Sequence, residues 1–201
     1  MRPSSRSAAL SFSSLTCLTA LALTLAAGCS RESSPPQPTA ASTASGATAA
    51  PAVVGGELAV GKAAPDFTAK DQDGKELTLS ALKGKPVVVY FYPKDETPGC
   101  TKEACAFRDA WKDLEKKGVV LIGVSTDTAE SHKAFAKHHE LPFHLVSDES
   151  GTIAKSFGVP NRAGFLGRQS FVIGPDGNVK KIYREVDVAK HASEVLADVG
   201  P

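Results

Sequence analysis

The 201-residue chain carries 23 Lys and Arg against 22 Asp and Glu, a formal net charge of +1. That length suits one domain with appendages rather than two full cores, and so even a balance gives no footprint for a nucleic-acid partner. Removing Arg2 and Arg6 with the leader described next leaves 21 basic and 22 acidic residues.

The first 28 residues read as a signal peptide: Arg2 and Arg6, an Ala/Leu/Thr-rich stretch from Ala8 to Ala27, then small residues before Cys29. The ending Leu25-Ala26-Ala27-Gly28-Cys29 resembles a bacterial lipobox, with Ala26 where Leu is commonest. It implies lipid on Cys29 and a periplasm-facing lipoprotein. Ser30 in place of Asp after the cysteine points by resemblance to the outer membrane. An ordinary small-residue cleavage site with Cys29 incidental is the alternative. A lasting transmembrane helix is disfavoured because Ser and Thr interrupt the apolar run. Residues 29–56 are rich in Ser, Thr, Ala, Pro and Gly with almost no large apolar side chain, which marks a flexible linker. A chain of that length spans roughly 30 Å, enough to hold a domain clear of a lipid surface.

The folding domain is expected over residues 57–201. Phe67 to Asp71, the Asp73-Gly74 turn and Lys75 to Leu79 read as a hairpin. Pro86 to Tyr92, Val119 to Val124 and Phe143 to Val146 read as buried strands separated by helices. One helix is expected to run from the Pro98-Gly99 turn to about Lys117, stopping before Gly118. A second hairpin, Gln169 to Ile173 with Val179 to Tyr183 across Pro175-Asp176-Gly177-Asn178, precedes a last helix from about Val188 to Val199. The fold class is α/β, with a mixed central sheet covered by helices on both faces and an N-terminal β-hairpin.

Of four cysteines, Cys17 lies inside the leader and Cys29 at its end, so redox chemistry in the domain rests on Cys100 and Cys105. Cys100 falls in the first turn of the expected helix. There, free backbone N–H groups and the positive end of the helix dipole favour a thiolate. Its sequence neighbours do not decide the matter, because Lys94, Lys102 and Arg108 are offset by Asp95, Glu96, Glu103 and Asp109. A cation from elsewhere is needed. Cys105 lies five positions on, and two residues so spaced on an α-helix have Cα atoms roughly 8.5 Å apart. That exceeds the ~7 Å limit for a disulfide, so a bond between them requires the turn to unwind.

Tyr92-Pro93-Lys94-Asp95 followed by Thr97 and Cys100-Thr101-Lys102-Glu103-Ala104-Cys105-Ala106-Phe107-Arg108-Asp109 resembles the peroxiredoxins, in their bacterioferritin-comigratory or Q-type branch. The resemblance runs from about Gly61 to Asp198 and includes Gly61-x-x-Ala64-Pro65-Asp66-Phe67 and Arg168-x-Ser170-Phe171-Val172-Ile173. Ser170, where Thr is frequent, and Gly174-Pro175, where Ile-Asp often occurs, are departures expected at a turn. The resemblance implies a thioredoxin-like fold, Cys100 as the peroxidatic sulfur, Thr97 and Arg168 as its polar partners, Pro93 as a shield against water, and Cys105 as the resolving thiol. It further implies hydroperoxide substrates, a thioredoxin-like dithiol reductant, no cofactor and a monomer.

Other readings of the same residues are weaker. A structural disulfide or spectator cysteines would leave the flanking signature unexplained. A thioredoxin-type oxidoreductase lacks its Cys-x-x-Cys. A metal site from His132, His138, His139, His144 and the cysteines lacks a second ligand pair at zinc spacing, so these histidines read as solvated or packing residues. Phe107 and Trp111, four apart, read as core. A second function class is a lipoprotein that keeps the fold as a redox-sensing or chaperone-like binding module with little turnover. The intact set Pro93, Thr97, Cys100 and Arg168 favours the peroxidase.

Overall fold

A computed structural model describes residues 58–200. The signal peptide, Cys29 and the linker lie outside the described residues.

The expected N-terminal hairpin forms from strands β1 (Thr68–Lys70) and β2 (Glu76–Thr78), paired antiparallel. Its turn is organised by Asp71, whose Oδ1 accepts from the amides of Asp73 and Lys75 at 3.0 and 2.9 Å, a short side chain substituting for backbone partners. A 3-10 turn, Leu79–Leu82, leads to the central strand β3 (Val87–Phe91). Then follow α1 (Pro98–Asp109), α2 (Trp111–Lys116), β4 (Val120–Ser125), α3 (Ala129–His138) and β5 (His144–Ser147). After them come α4 (Thr152–Ser156), the short strands β6 (Asn161–Arg162) and β7 (Phe165–Leu166), β8 (Gln169–Ile173), β9 (Val179–Tyr183) and α5 (His191–Asp198).

The central sheet has the order β5-β4-β3-β8-β9. β3, β4 and β5 run parallel, whereas β8 is antiparallel to β3 and to β9, so the sheet is mixed as expected. Every residue of β3 is buried, because both faces of the sheet are covered. Alternation along the strand divides its side chains between two cores. Val87, Val89 and Phe91 pack with Phe67, Leu77, Phe157 and Phe171, while Val88 and Tyr90 pack with Phe107, Leu114, Phe135 and Val195. One face is thus covered by α1, α2, α3 and α5, the other by α4, the 3-10 turn and the first hairpin.

Three details differ from the sequence reading. The helix after Gly99 is two helices, parted at Ala110, which ends α1 and begins α2; no Gly or Pro marks the break, so the sequence offers no signal for it. The last helix starts at His191 rather than near Val188. Ser170 is not at a turn: it is the second residue of β8, opposite Tyr90 on one side and Tyr183 on the other. Gly174 does open the β8–β9 turn, its amide donating to the Asn178 carbonyl at 2.8 Å. The α4 helix and the β6–β7 hairpin are additions too short for a periodicity to reveal.

Candidate active site

The loop from Tyr92 to Thr97 leaves the C-terminal end of β3 and feeds α1. Pro98 stands at the first helical position, where its missing N–H costs nothing. Thr97 occupies the N-cap without bonding through its side chain to the helix. Cys100 is therefore the third helical residue, in a first turn that no side chain caps, with the positive end of the dipole beside its sulfur. It is 2% exposed.

The cation missing from the local sequence is Arg168, which lies between β7 and β8. Its Nη2 donates to Cys100 Sγ at 3.1 Å. The preceding Gly167 packs against Pro160, whose Cγ would lie 2.9 Å from an added Cβ, so the approach to Arg168 depends on a residue without a side chain. The guanidinium is held from behind. Nη1 donates to Glu103 Oε2, and Glu103 Oε1 lies 2.7 Å from Nδ1 of His191 at the start of α5. Glu103 and His191 are 1% and 0% exposed. Burial disfavours the Arg168 charge, but the Glu103 carboxylate and the Cys100 sulfur outweigh it and hold the guanidinium above its ordinary pKa. Removing one member of such a buried pair costs about 3–5 kcal/mol, since the other is left unpaired.

A second buried network fixes the loop. Asp95, 4% exposed, accepts from Tyr92 Oη at 2.8 Å and from Ser131 Oγ at 2.7 Å, and lies 2.9 Å from His132 Nδ1. Its own amide donates to Asp127 Oδ2 at 2.9 Å. Burial pushes the Tyr92 phenol well up, so it stays protonated and donates. Burial also tends to raise the Asp95 carboxyl, but the bond and charge of His132, with Ser131 and Tyr92, turn the balance and hold it below its ordinary value. Thr97 Oγ1 donates to the Lys94 carbonyl at 3.0 Å. Its proton is thereby committed to the loop, and its lone pairs remain to accept from a ligand. Pro93 is half-buried at the head of the same loop. The arrangement is a shielded sulfur with a fixed guanidinium and a helix terminus aimed at one point, suited to stabilising negative charge on an adjacent oxygen.

A model of the AhpC/TSA family matches residues 60–182. The chain belongs to that family. It is 52% identical over 147 residues to a chloroplastic peroxiredoxin Q from Triticum aestivum, covering 72% of this chain and 68% of that protein. It is also 44% identical over 146 residues to the Coxiella burnetii peroxiredoxin bcp, covering 69% of this chain and 97% of that protein. The bacterioferritin comigratory protein of Xanthomonas campestris superposes with a TM-score of 0.64 at 35% identity, over 71% of this chain and 95% of that one. The molecule is a peroxiredoxin of the Q branch with the thioredoxin-like fold, a thiol peroxidase.

In this peroxiredoxin Cys100 and Cys105 are both free thiols on the continuous helix α1, Cys105 partly exposed. The helical geometry that keeps them apart in sequence reasoning is the observed one. The structure brings Cys100 and Arg168 together and seats Pro93 and Thr97 on the loop that precedes them. Sequence reasoning missed Glu103, His191, Asp95 and His132. A signal was present: Cys100, Glu103, Ala104 and Phe107 are the buried residues of α1, the i, i+3, i+4, i+7 stripe of a core-facing helix. His132 and His191 stand on the corresponding stripes with Phe135 and Ala136, and with Ala192 and Val195. Charged or polar residues on an apolar stripe are buried with partners or not at all.

Asp95 gives a pH signature. Its carboxyl is lowered on folding, so its contribution to stability is present above the unfolded value near 4 and is lost as pH falls through the lower folded value. Asp95→Asn should therefore be less stable than the parent at pH 7. The gap should narrow below about pH 4, where the parent loses the same interaction. Urea unfolding of both proteins at pH 7 and pH 3 measures it; a gap independent of pH would show that the charge of Asp95 contributes nothing.

Proposed function

We propose that Cys100 is the attacking sulfur of a peroxidase acting on alkyl hydroperoxides and hydrogen peroxide, and that Cys105 resolves it. The observation that carries this reading is the 3.1 Å contact from Arg168 Nη2 to Cys100 Sγ, with the guanidinium anchored by Glu103. The related Xanthomonas campestris protein is described by its alkyl peroxide reduction activity, which supports the substrate class.

In the proposed first step the Cys100 thiolate attacks the terminal oxygen of ROOH, the one that carries the hydrogen. A sulfur–oxygen bond forms, the O–O bond breaks, and RO⁻ departs with the electron pair and takes a proton from solvent. Arg168 donates toward the reacting oxygens, the open amides of the first turn add fixed donors, and Thr97 accepts from the peroxide O–H. Pro93 limits water at the sulfur. The product is a sulfenic acid on Cys100. The Cys105 thiol then attacks that sulfur, expelling water and leaving a disulfide, which a thioredoxin-like dithiol reduces by exchange. Because α1 must open for the bond to close, the reduced and disulfide states are different conformers.

We further read the chain as a monomeric lipoprotein anchored through Cys29, facing the periplasm from the outer membrane. This rests on the lipobox-like Leu25 to Cys29 and the linker composition. A redox-sensing or chaperone-like role with little turnover is the alternative, and the assay below separates the two.

In a coupled peroxide-consumption assay with a protein dithiol reductant, Cys100→Ser should be inactive. Cys105→Ser should complete about one oxidation and stall until an external thiol is added. Arg168→Met should slow the first step by roughly 10²–10³-fold, the usual cost of an oxyanion donor. Equal multiple turnover by the two cysteine variants would refute the assignment, and negligible turnover by the parent would favour the binding module. Hydrogen exchange should be faster from about Thr97 to Phe107 in the disulfide form, with the sheet amides unchanged; equal protection in both redox states, with the bond confirmed by mass, would sink the unwinding step. Mass spectrometry of the membrane fraction should find lipid on Cys29, and an unmodified N-terminus produced elsewhere would reject the anchor.

A further inference from the structure

Glu96 lies in the loop before Cys100, and its carboxylate faces two consecutive histidines that belong to the end of α3. Oε1 is 3.0 Å from His138 Nδ1, and Oε2 is 3.0 Å from His139 Nε2. One potential ligand atom from each of the three residues falls within 4.8 Å of the others. Glu96 reaches this position with a φ of +56°, a left-handed conformation that a non-glycine residue adopts at some cost. None of the three has a place in the peroxidase chemistry.

We infer that Glu96, His138 and His139 form a binding site for a borderline divalent metal ion of the zinc class. Two imidazoles and a carboxylate are a donor set for such an ion, with water completing a tetrahedron. Tetrahedral zinc with bonds of roughly 2.0–2.2 Å sets two ligand atoms about 3.3–3.6 Å apart, so closing the site calls for side-chain rotation. That movement is open to it: the side chains of His138 and Glu96 are 70% and 50% exposed, and His139, 16% exposed, is the fixed member. The ring nitrogens facing Glu96 are hydrogen-bonded to it now. On binding they present lone pairs instead, and their protons pass to the other ring nitrogens or to solvent.

The location gives the site a consequence, which rests on the resolution step proposed above. His139 is tied to the chain on both sides of the cysteine pair, to α1 after it and to the preceding loop before it. Its carbonyl accepts from Arg108 Nη1 at 3.0 Å, and its ring meets Glu96, four residues before Cys100. An ion joining Glu96 to α3 pins the segment that must move when Cys100 meets Cys105. It acts as a brake on disulfide formation, with the sulfenic acid left standing longer.

The test separates binding from braking, and thiol ligation from both. Titration calorimetry of zinc into the full chain carrying Cys100→Ser and Cys105→Ser should give one ion per chain. Glu96→Gln and the pair His138→Ala with His139→Ala in that background should weaken it by at least about 10–100-fold, the loss that follows even from removing an outer partner of a ligand. Cobalt added in place of zinc should give a visible spectrum lacking sulfur-to-metal charge transfer. Absence of binding, or affinity unchanged in either set of variants, overturns the site. In the wild-type chain, zinc should slow disulfide formation after a peroxide pulse, and the histidine double variant should lose that slowing. Slowing of equal size in the variant would assign inhibition to the thiols and overturn the brake; unchanged zinc affinity in the Glu96→Gln chain would overturn the site independently of any turnover.

Discussion

The buried carboxylate of Glu103 is the constraint on which the candidate active site depends. A charge 1% exposed persists in a core only when it is paired, and Glu103 is paired twice, with Arg168 and with His191. The pairing dictates positions from three distant parts of the chain. It fixes which face of α1 turns inward, which places Cys100 one turn earlier on the same face. It brings in the start of α5, with the His191 ring edge-on to Phe107 at 5.0 Å. It also sets the direction of the guanidinium, since Arg168 directs one nitrogen to the carboxylate and another to sulfur in a planar fork that Lys could not reproduce.

The Asp95 network plays the corresponding part for the loop. β3 ends among fully buried aromatic side chains, and a loop leaving such a strand would have many ways to cross the sheet edge. Asp95 removes that freedom by bonding to α3 through Ser131 and His132, and its amide is tied to Asp127. Pro93 and Thr97 are carried on this anchored segment. Two acids that look like surface charges in the sequence thus hold the two halves of the site, one behind the helix and one beneath the loop.

Legibility in the sequence followed locality. The strands β3, β4 and β5 could be read from continuous apolar runs, the hairpins from Asp-Gly turns, and Cys100 with its helix start from Pro98-Gly99. Arg168 could not be read from its surroundings, because nothing near residue 168 records that its partner is 68 positions away; the family resemblance supplied it. Glu103 and Asp95 enter the sequence reading only as charges that offset Lys94, Lys102 and Arg108, and nothing in that balance records that both are buried. The break at Ala110 had no chemical mark at all. His191 had one, since it shares a stripe with Ala192 and Val195, but its meaning emerges only when Glu103 is known to be inside.

Glu103 stands between Cys100 and Cys105 on the one helix that the proposed cycle opens. Separation of Glu103 from Arg168 and His191 in the disulfide form would charge the oxidised state with the loss of a buried ion pair that the dithiol state keeps. A couple whose reduced form is selectively stabilised has a higher reduction potential. The same interaction that aims the guanidinium at sulfur would therefore make the resulting disulfide a ready electron acceptor, one that a mild dithiol donor can discharge.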